Sequence, residues 1–329
     1  MTDTGSHNPA QSVNASSPSP TSGWARVTNQ VIVRVTGPGT NQFLQGQFSQ
    51  HLDEVVTGHS PRAAASNPKG RAYCLTRLVR DGDDVLMTLD SGLADTILKQ
   101  LRKYLMLFRG TSADLLESGR VYGILGTDGT SLAADGLEQP GDTRAVENGY
   151  LVRVEPTADG TQRFELWQTQ DGNNTLKPEH EIPLADWLAS EIEAGVPSLT
   201  DTTLESYVPQ MLNWHRLGGV HFKKGCYTGQ EIIARMHFLG QLKKSLYRLS
   251  IDNSETAPKP GTRILSGERA VGDVVNAIRY TDGHVELLAV IRHDAASGDL
   301  SIEDSGAILN PRPLPYSVPE REDQASPDT

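Results

Sequence analysis

The chain has 329 residues, 37% of them hydrophobic, and only two cysteines, Cys74 and Cys226. At about 150 residues per domain, that length predicts two domains or three small ones. Two thiols exclude a disulfide scaffold, an all-cysteine zinc site and a four-thiolate iron–sulfur cluster within one chain. The net charge of −11 argues against bulk, non-specific binding to DNA or to a membrane surface.

Residues 1–22 are rich in Ser, Thr, Pro and Asn and contain no Lys or Arg. That composition predicts a disordered tail and is neither a signal nor a basic transit peptide. No segment reaches the roughly 18 apolar residues of a membrane span, so the expectation is a cytoplasmic protein with no membrane contact. Val31, Val33 and Val35 alternate along a strand that Gly37-Pro38-Gly39 breaks, and a short helix is expected over 40–45. Asn67-Pro68-Lys69-Gly70 reads as a turn. Strands over 73–80 and 84–89 flank Asp81-Gly82-Asp83, a hairpin pattern. Leu93, Ile97, Leu101, Tyr104, Leu105 and Phe108 recur at spacings of three and four, which predicts a helix ended by Gly110. Short strands are expected over 150–154 and 163–168, and a third helix over 183–193, stopped at Gly195. From Lys243 onward, strand-like runs over 245–251, 271–280 and 285–291 predict a small antiparallel barrel or sandwich. The expected division is a tail over 1–22, a body over 23–239, a β domain over 240–318 and a flexible tail over 319–329.

Charge is uneven. Between Trp214 and Arg248 lie seven basic residues and one acid, Glu231, a net +6 inside a chain of −11. Such a local inversion fits an anionic ligand held at one place, or a solvated basic face. The overall acidity argues against direct nucleic-acid binding. The same stretch holds Lys223-Lys224-Gly225-Cys226-Tyr227-Thr228-Gly229-Gln230-Glu231. Two glycines there permit tight turns and close backbone approach, and a thiol beside lysines is a candidate nucleophile, although an isolated cysteine also serves as a small buried hydrophobe.

Residues 217–235, LGGVHFKKGCYTGQEIIAR, resemble the signature of the YgfZ family of folate-binding proteins, relatives of the glycine-cleavage T-protein (aminomethyltransferase). Further elements are similar: Phe43-Leu44-Gln45-Gly46-Gln47, Lys69-Gly70, the WLASEIEAGVP run from Trp187 to Pro197, Val208-Pro209-Gln210 with Asn213, and Leu314-Pro315-Tyr316-Ser317. The resemblance spans about residues 27–318 and is weakest over 110–180. It implies an α+β, three-lobed cloverleaf: two α+β lobes and a C-terminal antiparallel β-barrel around a central cavity for tetrahydrofolate or a derivative. It further implies an accessory role toward client iron–sulfur proteins, including those that modify tRNA. A polyglutamylated folate has an aromatic pterin and an anionic tail, which an aromatic plate plus lysines would suit.

By the same resemblance, Trp187 matches a folate-stacking tryptophan and Glu193 a pterin-contacting glutamate. Read from the residues alone, Trp187 fits better as a core residue on its helix stripe, and Glu193 as a solvent-facing one. The two stand six residues apart, about 240° around a helix, so one ligand meets both only if the chain bends near Gly195 or the ligand wraps the helix end. Cys226 is the motif cysteine, with Lys224, Tyr227, Gln230 and Arg235 as further candidate folate contacts; Arg235 also reads as a structural ion-pair partner. Two departures matter. Gln30 stands where the family carries another folate-contacting tryptophan, with Trp24 out of register. Cys74 and Leu75 stand where T-proteins carry an Asp pair needed for aminomethyl transfer, which disfavours that reaction and leaves one-carbon transfer as the alternative function. No metal-ligand spacing is present, and His215, His221 and His237 read as structural or solvent-facing.

Overall fold

Two five-stranded sheets and a closed six-stranded barrel, all antiparallel, make up the framework. The computed structural model describes residues 14–126, 136–172, 180–238, 240 and 242–318. The first sheet runs β3 (Arg62–Ser66), β4 (Ala72–Asp81), β5 (Asp84–Asp90), β2 (Gln30–Thr36), β6 (Ser112–Leu115). Its β4–β5 hairpin turns at Gly82, whose φ of 61° is left-handed backbone that favours glycine. Helices α1 (Thr40–Gln47) and α2 (Ala94–Leu105) join this sheet in one core, through Phe43, Leu44, Leu98 and Leu101. The alternating valines of β2 account for its place there: Val33 and Val35 are fully buried.

The second sheet runs β1 (Gly23–Arg26), β7 (Arg120–Leu125), β10 (Arg163–Gln168), β9 (Gly149–Val154), β8 (Thr143–Val146). The barrel closes in the order β11 (Lys244–Ile251), β14 (Val285–Arg292), β13 (Arg269–Arg279), β12 (Arg263–Ser266), β15 (Leu300–Ile302), β16 (Ile308–Arg312), and β16 pairs back onto β11. Leu287, Ala289 and Ile291 fill its interior with Ile264, Val274 and Val285. The expected barrel is thus present. None of the helices is long and apolar enough to cross a membrane, among the described residues.

Helix α3 (Leu184–Glu193) ties the three units together. Trp187 faces the second sheet, with its ring against Gly123, where an added Cβ would lie 2.1 Å from the indole. Ala185, Ala189 and Ile192 join a core shared with Val275, Ile278 and Tyr280 of the barrel domain. The helix ends where Gly195 takes φ 67°, the left-handed C-terminal stop, and Tyr316 Oη donates to the Gly195 carbonyl at 2.7 Å.

Part of the tail expected to be disordered is docked. Residues 1–13 and 319–329 lie outside the described residues, but from Asn14 onward the chain lies on the fold. Ala15 is fully buried and bridges to Tyr280. The Ser16 amide donates to Asp186 at 2.6 Å, and Ser17 Oγ donates to Asp282 at 2.6 Å. Short polar side chains, which gave the segment its disordered composition, serve here as hydrogen-bond donors to carboxylates.

Gly123→Ala would push the Trp187 ring off its seat. The expected cost is about 1–3 kcal/mol, as for other overpacked cores, read as a lower urea-unfolding midpoint; an unchanged midpoint would contradict this packing.

Candidate functional site

A cavity opens where the first sheet, the second sheet and the loop after α3 meet. Its empty space is ≈ 680 Å³, open mouth included. Asn29, Gln30, Tyr73, Arg77, Trp214 and Glu191 are among the lining residues, with Cys74, Leu75, Asp90 and Glu165. Five of the lining residues each carry a buried polar atom with no hydrogen-bond partner among the described residues: Asn29 Oδ1, Gln30 Oε1, Tyr73 Oη, Arg77 Nε and Trp214 Nε1. Buried polar atoms are ordinarily paired, and five such atoms on one cavity wall form a set of two acceptors, two donors and a hydroxyl able to do either.

The floor is ionic. Arg62 and Arg77 are opposite one another across β3 and β4, a like-charge arrangement that opposes strand pairing. Glu155, immediately after β9 in the other sheet, answers both. Its carboxylate takes Arg62 at 2.8 and 2.5 Å and Arg77 at 3.3 Å. Burial alone would raise the Glu155 carboxyl, but the two guanidiniums hold it down to about 2. Burial would likewise lower Arg62, yet Glu155 holds it above its ordinary value. Arg77 is lowered, by burial and by Arg62 beside it.

Arg163 extends this lattice from β10. It donates to the Glu155 carbonyl at 3.0 Å and to Ser190 Oγ at 3.0 Å, and pairs with Glu191. Its guanidinium also lies over the Trp187 ring, 4.3 Å from the centroid. Burial raises the Glu191 carboxyl in spite of Arg163. Glu165 accepts from Trp167 Nε1 at 2.8 Å. Burial also pushes the Cys74 thiol up to about 12, so at neutral pH this wall position holds a proton and is no base.

The KGCYTGQE segment builds a second feature, a platform over the end of α1. Lys224 is buried, and its ammonium donates to the carbonyls of Gln45 and Phe48 at 2.7 and 2.6 Å while lying 4.8 Å from the Tyr227 ring centroid. Burial draws Lys224 down to about 7. The Thr228 amide donates to the Gly46 carbonyl at 3.0 Å. Gly229, at φ 84°, passes so near the Asn67-Pro68-Lys69-Gly70 turn that a Cβ would lie 2.6 Å from the Asn67 carbonyl. Three motif elements far apart in sequence therefore meet here, and helix α4 (Gln230–Phe238) starts from them. Cys226 is exposed on the platform.

The structure thus distributes the expected site residues over two places. Lys224, Cys226, Tyr227 and Gln230 are together on the platform, where Gln230 Nε2 donates to the Lys224 carbonyl at 3.4 Å. Arg235 is exposed on the outer side of α4. Trp187 is 1% exposed, and Glu193 accepts from Tyr280 Oη at 3.0 Å on the barrel side of α3. None of these seven is among the residues lining the cavity. Gln30, Cys74 and Leu75, the residues of the two departures, are on its wall. The sequence reading missed Arg62, Arg77, Glu155, Glu165, Glu191 and Trp214. One signal was available: Glu191 is four residues from Trp187, hence on the same helix face.

No family model matches the chain. The tRNA-modifying protein YgfZ of Cronobacter sakazakii is 31% identical to it over 315 residues, 90% of this chain and 92% of its own. The protein of the same description from Escherichia fergusonii is 30% identical over 311 residues, with the same coverage of 90% and 92%. The glycine cleavage system aminomethyltransferase T of Bartonella henselae superposes with a TM-score of 0.68 at 16% identity, over 89% of this chain and 86% of that chain. At that identity the likeness concerns the fold.

Glu155 makes a pH prediction with a definite sign. Its folded value of about 2 lies below the roughly 4.3 of an unfolded glutamate. The stability it contributes is complete above the unfolded value and is lost as pH falls through that window. Glu155→Gln should cost about 3–5 kcal/mol at neutral pH, by stranding buried arginines. Urea unfolding should show the gap between parent and variant narrowing as pH falls toward 3. A gap independent of pH would contradict the assignment.

Proposed function

Because the chain belongs to the YgfZ family and carries the T-protein fold, we propose that it is a tetrahydrofolate-binding accessory protein of tRNA modification, supporting the iron–sulfur enzymes that carry it out. The observation that carries the ligand half is the set of five unpartnered polar atoms on the cavity wall. A pterin presents a 2-amino-4-oxo edge with donors and acceptors side by side. Arg77 Nε and Trp214 Nε1 can meet its acceptors, and Asn29 Oδ1 and Gln30 Oε1 its donors. A buried polar atom left unpaired costs about 1–3 kcal/mol, so a ligand that pairs several of them recovers a sizeable free energy. Glu165 and Glu191 add carboxylates at the same wall.

In this reading Trp187 acts at one remove. It seats Arg163, which holds Glu191 at the cavity. The platform suits the anionic folate tail less directly than the sequence suggested, since the buried Lys224 ammonium is turned inward onto α1. A binding role is favoured over aminomethyl transfer because Cys74 and Leu75 occupy the wall positions where the family resemblance expects the aspartates of that reaction.

Calorimetric titration with tetrahydrofolate should give binding, with quenching of tryptophan fluorescence through Trp214. Trp214→Leu should weaken it about tenfold, the scale of one lost hydrogen bond. Cys226→Ala should retain it. Absence of binding by the parent chain would overturn the ligand half. Normal tRNA methylthiolation in a deletion strain would overturn the cellular half. Formation of methylene-tetrahydrofolate from an aminomethyl donor would restore the transferase alternative.

A further inference from the structure

The outer end of α4 carries a cluster that sequence order conceals. Phe222 stacks on His237 with ring centroids 3.6 Å apart and planes 8° apart. Phe238 stands edge-on to His237 at 4.7 Å and to Phe222 at 6.3 Å. The Phe238 ring is 62% exposed, although it belongs to a pre-built aromatic stack and lies at the end of a regular helix. Three exposed cations lie on the segments around this cluster. Lys223 follows Phe222 directly, and Arg235 is one helical turn before Phe238. Lys69 is brought in by its turn, because a Cβ on Gly70 would lie 2.9 Å from Ile232 Cβ, one turn before Arg235 on α4. The exposed acid of the helix, Glu231, is in its first turn, at the opposite end from Phe238. The folded chain brings Phe222 and Phe238, sixteen positions apart in sequence, onto the His237 ring.

We infer that this face binds single-stranded RNA, with a base stacked on Phe238 and phosphates at Lys69, Lys223 and Arg235. The expectation of no direct nucleic-acid binding rested on overall acidity, which does not oppose a local basic and aromatic site. The inference rests on the tRNA half of the proposed function for its choice of RNA. Its geometric support is independent of the folate cavity. Every base offers a flat π face to an exposed ring, and base stacking of this kind tolerates sequence variation. An acidic protein would engage the cations and leave the aromatic stack without a use. With three phosphate contacts to a single strand, the slope of log K against log salt should be about −2, consistent with a weak and local site on an acidic protein. Cys226 is exposed in the loop between Lys223 and α4, so bound RNA would pass beside its thiol.

The test is fluorescence anisotropy with a labelled anticodon stem–loop transcript and a labelled oligouridylate, across a salt series, with polyglutamate as competitor. Binding with a slope of about −2 is expected. Phe238→Ala should weaken it about tenfold and Lys223→Ala should reduce the slope by about 0.7. Both changes are at exposed positions and should leave the urea midpoint and tetrahydrofolate affinity unchanged. Three results would overturn the inference: no RNA binding at low salt, RNA binding indifferent to Phe238→Ala, or preferential binding of polyglutamate. RNA binding by a chain that fails to bind tetrahydrofolate would leave the inference standing and overturn the cavity reading instead.

Discussion

Two arginines facing one another across a strand pair set the terms for the centre of this molecule. Arg62 and Arg77 are register partners on β3 and β4, and both are nearly inaccessible to solvent. Neither can be neutralised from within its own sheet, and the carboxylate that does so, Glu155, comes from the other one. Removing one partner of such a buried group is costly, about 3–5 kcal/mol, so the two sheets are held to one relative placement. The lattice is more than a tie. Arg77 also lines the cavity, and its Nε has no hydrogen-bond partner among the described residues. On the proposed reading, structural neutralisation and ligand recognition fall on the same guanidinium.

Helix α3 transmits this arrangement. Its Trp187 face reaches Gly123 and Arg163, its Glu191 lines the cavity, and its Glu193 accepts from Tyr280 of the barrel domain. One helix therefore contacts all three units through side chains at successive angles. The platform does something comparable for the first lobe. Lys224 supplies a cation to the carbonyls at the end of α1, a favourable placement for the helix dipole, and the glycines at 70 and 229 allow two turns to touch. These are chemically exacting roles, and they give physical content to a motif whose lysine and tyrosine are buried while its cysteine is exposed.

Much of the framework was legible in the sequence. The period-two valines of β2, the three-and-four spacing of α2 and the Gly-bounded apolar runs after residue 243 all correspond to observed elements. The long KGCYTGQE resemblance led correctly to the family and fold. The cavity was harder to read because its polar residues sit singly on otherwise ordinary strands. Nothing in RAAAS or LTRLV says that an arginine's partner comes from another sheet. The α3 contacts were carried over from a linear motif, whereas helix rotation decides which carboxylate meets the cavity: Glu191 shares the Trp187 face and Glu193 does not. The docking of residues 14–22 was hidden for a related reason, since a polar segment looks unstructured until the carboxylates that accept from it, Asp186 and Asp282, are in place.

The claim on which the rest turns is that the unpartnered wall atoms, held in place by the Arg62–Glu155–Arg77 lattice, are the ligand's contacts. The most direct measurement is a crystal structure of the protein grown with tetrahydrofolate. The pterin should be found within hydrogen-bond distance of Arg77 Nε and Trp214 Nε1. A pterin located on the platform beside Cys226, or against Glu193 on the barrel side of α3, would contradict the claim.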